Sequence, residues 1–152
     1  MANTKPTPWN FSNSDKIMQS ANNRFKIVYY DLNEIAMGAP IGGEAFLETS
    51  SGDKVKIHEW CGGPPVWNAE GDLFAIPIWL RSAAKGIVQQ IGVVDTKRME
   101  LQLFSRTFGV LDLRSFDKGI VQVYNSPIYM PTEVVFDLDR ESKPNVIKLA
   151  GS

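Results

Sequence analysis

Along most of the chain, apolar or β-branched residues alternate with polar ones over five to eight positions, and each run stops at Gly, Asn, Asp or Pro. A period of two belongs to a strand with one buried face. It predicts strands at Arg24–Asp31, Lys54–Trp60, Asp72–Trp79, Gln90–Asp95, Val110–Phe116, Gly119–Tyr124 and Glu133–Leu138. Turn chemistry lies between several of them, at Ser50-Ser51-Gly52-Asp53, Asn68-Ala69-Glu70-Gly71 and Phe116-Asp117-Lys118-Gly119. There Asp, Asn and Gly supply turn hydrogen bonds and positive φ. No apolar 3.6-residue period persists over ten residues; the best helical candidates are Lys16–Ala21 and Arg81–Lys85. The expected class is all-β, built from antiparallel meander sheets with little helix.

The order of the strands repeats. Arg24–Asp31, Asp72–Trp79 and Gly119–Ser126 start 48 and 47 residues apart, and each precedes a connection and a second hairpin, at Glu44–Ile57, Ile91–Phe104 and Glu133–Leu149. Propeller blades recur at about 40 to 50 residues. A single domain over residues 1–152 is expected, with three blade-like units at about 21–60, 64–104 and 108–149 and a partly ordered segment over 1–20. A closed propeller takes about 4 to 8 blades, so three leave edges to be covered. Either the sheets curl into an open half-propeller or sandwich, with a strand around Trp9–Phe11 as cover, or the free monomer pairs edges as a dimer. A plain meander with regular turns gives a similar period and is equally all-β.

Composition narrows the class. With 152 residues, 43% hydrophobic and 22% charged, the chain suits one domain around one core. Sixteen Lys and Arg against seventeen Asp and Glu give a net charge of -1, spread evenly. That is not the basic excess with which a protein binds nucleic acid directly. The longest apolar run, Phe74–Leu80, has seven residues and contains Pro77. A bilayer needs about 20, so no membrane contact is expected. The first residues hold no apolar stretch of the signal-peptide kind, which makes the cytoplasm the expected compartment. Cys61 is the one cysteine and His58 the one histidine, too few for a disulfide or a four-ligand zinc site. No metal and no cofactor are expected.

Catalytic constellations are weak. His58 and Cys61 differ in strand parity and so point to opposite faces, against a thiolate with its base. Gly38-Ala39-Pro40-Ile41-Gly42-Gly43 lacks the strand-to-helix setting of a phosphate loop. Asp31, Asp95, Asp112, Asp137 and Asp139 recur at strand ends, where turn hydrogen bonding explains them better than paired-acid catalysis. No catalytic residue is assigned.

A binding face is the stronger expectation. In a meander, the longer connections Asp31–Gly43, Trp79–Gln89 and Ser126–Thr132 gather at one end, where Trp60 also begins a connection. They offer Asp31, Asn33, Glu34 and Met37; Trp79, Arg81 and Lys85; Tyr129 and Met130. Of Trp9, Trp60, Trp67 and Trp79, about two belong to a core and the others suit an interface, where Trp is enriched.

The segments LNEIAMGAPIGGEAFLE (Leu32–Glu48), WCGGPPVWNAEGDLFAIPIW (Trp60–Trp79), QQIGVVDTKRMELQLF (Gln89–Phe104) and VLDLRSFDKGIVQVYNSP (Val110–Pro127) resemble a bacterial immunity protein of the polymorphic or contact-dependent growth-inhibition toxin systems. The resemblance implies a cytoplasmic inhibitor that binds the C-terminal domain of a cognate toxin, often a nuclease, and covers its active site. It makes Asp31 and Glu34 candidates to face a basic cleft, although the net charge of -1 departs from a strongly acidic inhibitor. Two other functions stay open. A propeller-like scaffold would make its contacts through hydrophobic edge strands, and a carbohydrate-binding domain would use an aromatic platform drawn from Trp60, Trp79 and Tyr129.

Overall fold

A computed structural model describes residues 6–126 and 131–149. Eleven strands follow in chain order: β1 (Phe25–Glu34), β2 (Ile41–Thr49), β3 (Lys54–Cys61), β4 (Val66–Trp67), β5 (Leu73–Ser82), β6 (Gly86–Asp95), β7 (Glu100–Phe108), β8 (Leu111–Asp117), β9 (Ile120–Asn125), β10 (Thr132–Asp137) and β11 (Asn145–Lys148). The fold is all-β and antiparallel; the only helical feature among the described residues is a 3-10 turn at Lys16–Met18. That turn is what remains of the helix expected over Lys16–Ala21. Arg81, in the other candidate helix, lies in strand β5 instead.

One eight-stranded sheet runs β1-β2-β3-β5-β6-β7-β11, with β4 added beside β5, and a three-stranded sheet runs β10-β9-β8. The large sheet is not flat. In register, β3 and β5 meet only at Cys61 and Ile78, and β3 shifts register against β2 on both sides of the Ala45–His58 pair. Such bulges bend a strand and sharpen its twist. Strands β1–β3 thereby fold back over one face of β5–β7, and the small sheet covers the other face.

Strand β5 shows the layering residue by residue. Phe74, Ile76 and Ile78 enter a core with Ile27, Leu47 and Ile57 from β1–β3. Ala75 enters a second core with Val93, Leu111, Val123 and Phe136. This is why Phe74–Leu80 reads as a continuous apolar run rather than an alternation: a strand buried on both faces has no wet side to mark. Each fully buried Ile, Leu or Phe contributes about 1.5–3 kcal/mol relative to exposure.

The blade-like division does not correspond to separate sheets. The expected hairpin over Glu133–Leu149 does not form, because β10 pairs with β9 while β11 pairs with β7, in the large sheet. Burial explains the split: Phe136 belongs to the second core and Leu149 to the first. The expected strand at Trp9–Phe11 is a turn, in which Thr7 O accepts from Asn10 N and Phe11 N, both at 3.1 Å. Phe11 still covers the first core, its ring centroid 4.9 Å from that of Tyr29.

The N-terminal segment also blocks the outer edge of β1. The Asn13 amide accepts from Tyr29 N at 2.7 Å and donates to Tyr29 O at 2.9 Å, as a neighbouring strand would. Gln19 bridges Lys26 lower on the same edge. These bonds occupy the part of the β1 edge at Lys26 and Tyr29 with which another strand would pair.

Candidate functional site

The connection between β1 and β2 is built to hold one apolar side chain in water. After Tyr30 the register of β1 slips, with Asp31 at φ 56°, and the turn at 35–40 closes through Ala39 N to Ala36 O (3.0 Å) and Ile35 N to Pro40 O (3.3 Å). Gly38, at φ 75°, takes a conformation that glycine adopts without penalty. Its peptide groups are gripped on both sides: Gly38 N donates to the Glu34 carboxylate at 2.7 Å, and Gly38 O accepts from the Trp9 indole at 3.1 Å. Ile41 N donates to Pro8 O at 3.1 Å. Met37, beside this clamped glycine, is fully exposed. Glu34 therefore serves the loop, and Asn33 does so too, donating to Asp31 O at 3.1 Å. Asp31 is exposed.

Trp60, Trp79 and Arg81 come together where Trp79 lies against Gly42, near the start of β2. The Cys61–Ile78 pair sets Trp60 opposite Trp79 on the face away from the first core, with ring centroids 5.8 Å apart. Arg81 follows two positions on and lays its guanidinium over the Trp60 ring at 5.2 Å from the centroid. Trp60 is half-buried and Arg81 exposed, but Trp79 is only 4% exposed. Of the aromatic platform that sugar binding would need, Trp79 is thus closed off and Trp60 remains; Tyr129 lies outside the described residues, as does Met130.

Two glycines make room for Trp79. A side-chain carbon at Gly42 would sit 2.8 Å from the indole nitrogen, and one at Gly62 would sit 3.1 Å from it and 2.6 Å from the Gln89 amide nitrogen. Gln89, paired with Trp79 across β5 and β6, is 1% exposed and spans the two sheets, its oxygen accepting from Leu111 N at 2.6 Å. That bond fixes which end of the amide faces Gly62. Gly62 and Gln89 were not singled out from the sequence, and Gly42 was weighed only as part of a glycine-containing run. An isolated glutamine on a strand gives no signal that its partner lies in another sheet.

Lys85 does not join this group. The expected long connection Trp79–Gln89 is a tight hairpin between β5 and β6, and Lys85 turns toward β7, donating to Thr107 Oγ1 at 2.8 Å. Charge near the site is mixed rather than acidic: Lys56 pairs with Glu44 at 2.8 Å and with Glu59 at 3.5 Å.

His58 and Cys61 touch, but as structure. Cys61 is wholly buried, its sulfur 3.6 Å from His58 O, and burial pushes the thiol far above its usual range. His58 Nδ1 accepts from Trp60 N at 3.2 Å. Burial lowers the His58 pKa from its ordinary 6.5; Glu59 opposes this and Lys56 reinforces it. Because the folded value lies below the unfolded one, the unfolded chain binds more protons between the two values, and stability falls as pH drops from 6.5 through the folded value. Protonation also removes the lone pair that Trp60 N uses. Denaturant midpoints at about pH 7.5 and 5.5 should therefore fall further for the wild type than for His58→Gln.

Among the described residues no group of His, Cys, Asp or Glu could hold a metal ion, and no helix is long and apolar enough to cross a membrane. No protein-family model matches the chain, and comparison with curated proteins and with solved structures gives no significant match.

Proposed function

We propose that the 35–40 loop and the Trp60–Arg81 stack dock another protein, and that this partner is the cognate toxin domain to which the sequence resemblance points. Met37 is the observation that carries it: a fully exposed apolar side chain beside a backbone held by Glu34 and Trp9. Ordering a flexible loop costs binding energy, and a loop already fixed avoids that cost. Methionine suits the role because its unbranched, polarisable side chain fits irregular pockets. Trp60 and Arg81 are of the residue types that dominate interface energetics. Asp31 is the acid placed to reach a basic cleft, while Glu34 shapes the loop.

Co-expression of the candidate toxin domain encoded beside this gene, with and without this protein, tests the proposal, together with light scattering on the purified mixture. Rescue of growth and a stable heteromer are expected. Met37→Ala should weaken the complex by about 2 kcal/mol, roughly 30-fold, without shifting the melting temperature, since a fully exposed side chain supports no packing. No rescue and no complex would remove the toxin as partner; a complex indifferent to Met37, Trp60 and Arg81 substitutions would move the contact elsewhere.

A further inference from the structure

Two buried donors lie side by side where β3, β5 and β6 meet. The Trp79 indole nitrogen and the Gln89 amide nitrogen are closed to solvent and meet no acceptor among the described residues. A buried donor left so costs about 1–3 kcal/mol, and folded proteins pair nearly all of them. Turning the Gln89 amide over does not relieve it. The amide oxygen accepts from Leu111 N at 2.6 Å, and the reversed group would set a second donor against that N–H.

The two donors converge on the backbone at Gly62. A carbon added there would lie 2.6 Å from Gln89 Nε2 and 3.1 Å from Trp79 Nε1, so the nitrogens are within about 6 Å of each other, a span that one oxygen bridges with two hydrogen bonds of about 2.9 Å. A carbon added at Gly42 would lie 2.8 Å from the same indole nitrogen and 3.2 Å from Cys61 O, a carbonyl with two lone pairs. Such distances clash for a methyl group and are ordinary for an oxygen that accepts an N–H. Both glycines thus keep apolar side chains away from a place lined by two donors and a carbonyl.

We propose that this junction is a binding site for one buried water molecule, which accepts from Trp79 Nε1 and Gln89 Nε2 and donates to Cys61 O. About three hydrogen bonds to otherwise unpaired buried groups are the usual complement of an internal water. The donors select the ligand. Both are neutral, and an anion held by them alone would bury a charge at far greater cost than the two donors it satisfies. A group on a partner protein does not reach them, because both nitrogens are closed to solvent. The water ties β5 and β6 to the end of β3 at the place where β3 and β5 share a single residue pair, and Gln89 extends the link to Leu111 of the small sheet. The site lies beneath Trp60, yet the inference does not depend on the docking proposed above.

Water-selective nuclear Overhauser spectra of the isotope-labelled wild-type protein, recorded in the laboratory and rotating frames, test the site. Cross-peaks of opposite sign in the two frames are expected at the Trp79 indole proton and at the Gln89 amide protons, as from a water that tumbles with the protein. Trp79→Phe identifies the indole resonance. Tyr29→Phe is the control, because the Tyr29 hydroxyl donates to Gly62 O at 2.7 Å and can relay magnetisation from solvent by proton exchange. Both cross-peaks should persist in that variant. No cross-peak at either group in the wild type, or the same sign in both frames as surface hydration gives, would overturn the proposal. Loss of both signals in a folded Tyr29→Phe protein would do so too, by assigning them to the hydroxyl. An indole shift that follows chloride at constant ionic strength would overturn the choice of water in favour of a halide.

Discussion

Trp79→Ala should lower unfolding stability by about 3–5 kcal/mol, the usual cost of truncating a buried aromatic, and should be read by denaturant midpoint before any binding assay. The indole is 4% exposed, lies against Gly42 and Gly62 and supports Trp60 from beneath at 5.8 Å. Its removal leaves a cavity at the junction of β3 and β5, where a single residue pair joins the two halves of the large sheet. Loss of partner binding in this variant would follow from misfolding and says nothing about contact. Trp79→Phe separates the effects. It keeps most of the ring and deletes an indole N–H that has no hydrogen-bond partner among the described residues, so its cost should stay below about 1.5 kcal/mol. A Trp79→Ala protein as stable as the wild type would show that the indole is not buried.

Gly43→Ala should cost about 3 kcal/mol or more, at the upper end of overpacking effects. Gly43 pairs with Cys61, and an added side-chain carbon would run into the backbone carbonyl of Tyr30, with the Asp31 carbonyl 3.1 Å away. A side chain can rotate aside, but these carbonyls belong to β1 at its register slip and cannot move without unpairing it. Gly119→Ala is the comparison. It has open space and a φ of 77°, so it carries only the left-handed backbone penalty of about 1–2 kcal/mol. If urea melts place the two variants together, β1 does not approach β2 as closely as the structure has it.

The strands were legible because their half-buried stretches alternate: Arg24–Asp31 and Lys54–Trp60 each keep one wet face, and they return as parts of β1 and β3. The layering was not. A strand such as β5 that feeds two cores carries no period to say so, and an apparent repeat of 47 to 48 residues concealed that β11 leaves its neighbour β10 to join β7. At the candidate site, exposed Met37 and Arg81 were found from their place in connections. Trp79 was a candidate for the binding face from the same cue, with the choice of buried tryptophans left open, and the structure buries it because Gly42 and Gly62 let the ring lie on the backbone. Lys85 stands apart from Trp60 and Arg81 for a related reason: a tight hairpin sends it toward Thr107, a partner 22 positions away. Single-residue properties survive the passage from sequence to fold better than neighbourhoods made by bulges.

The middle layer has a thermodynamic consequence. Strands β5–β7 send alternate residues into both cores, so neither core can melt while the other keeps those strands in place. Two hydrophobic clusters of this kind behave as one cooperative unit: calorimetry should give a single transition whose van't Hoff and calorimetric enthalpies agree. Damage to Phe136 in the small sheet is then felt at Ile27 on the far side of the molecule, through strands that belong to both.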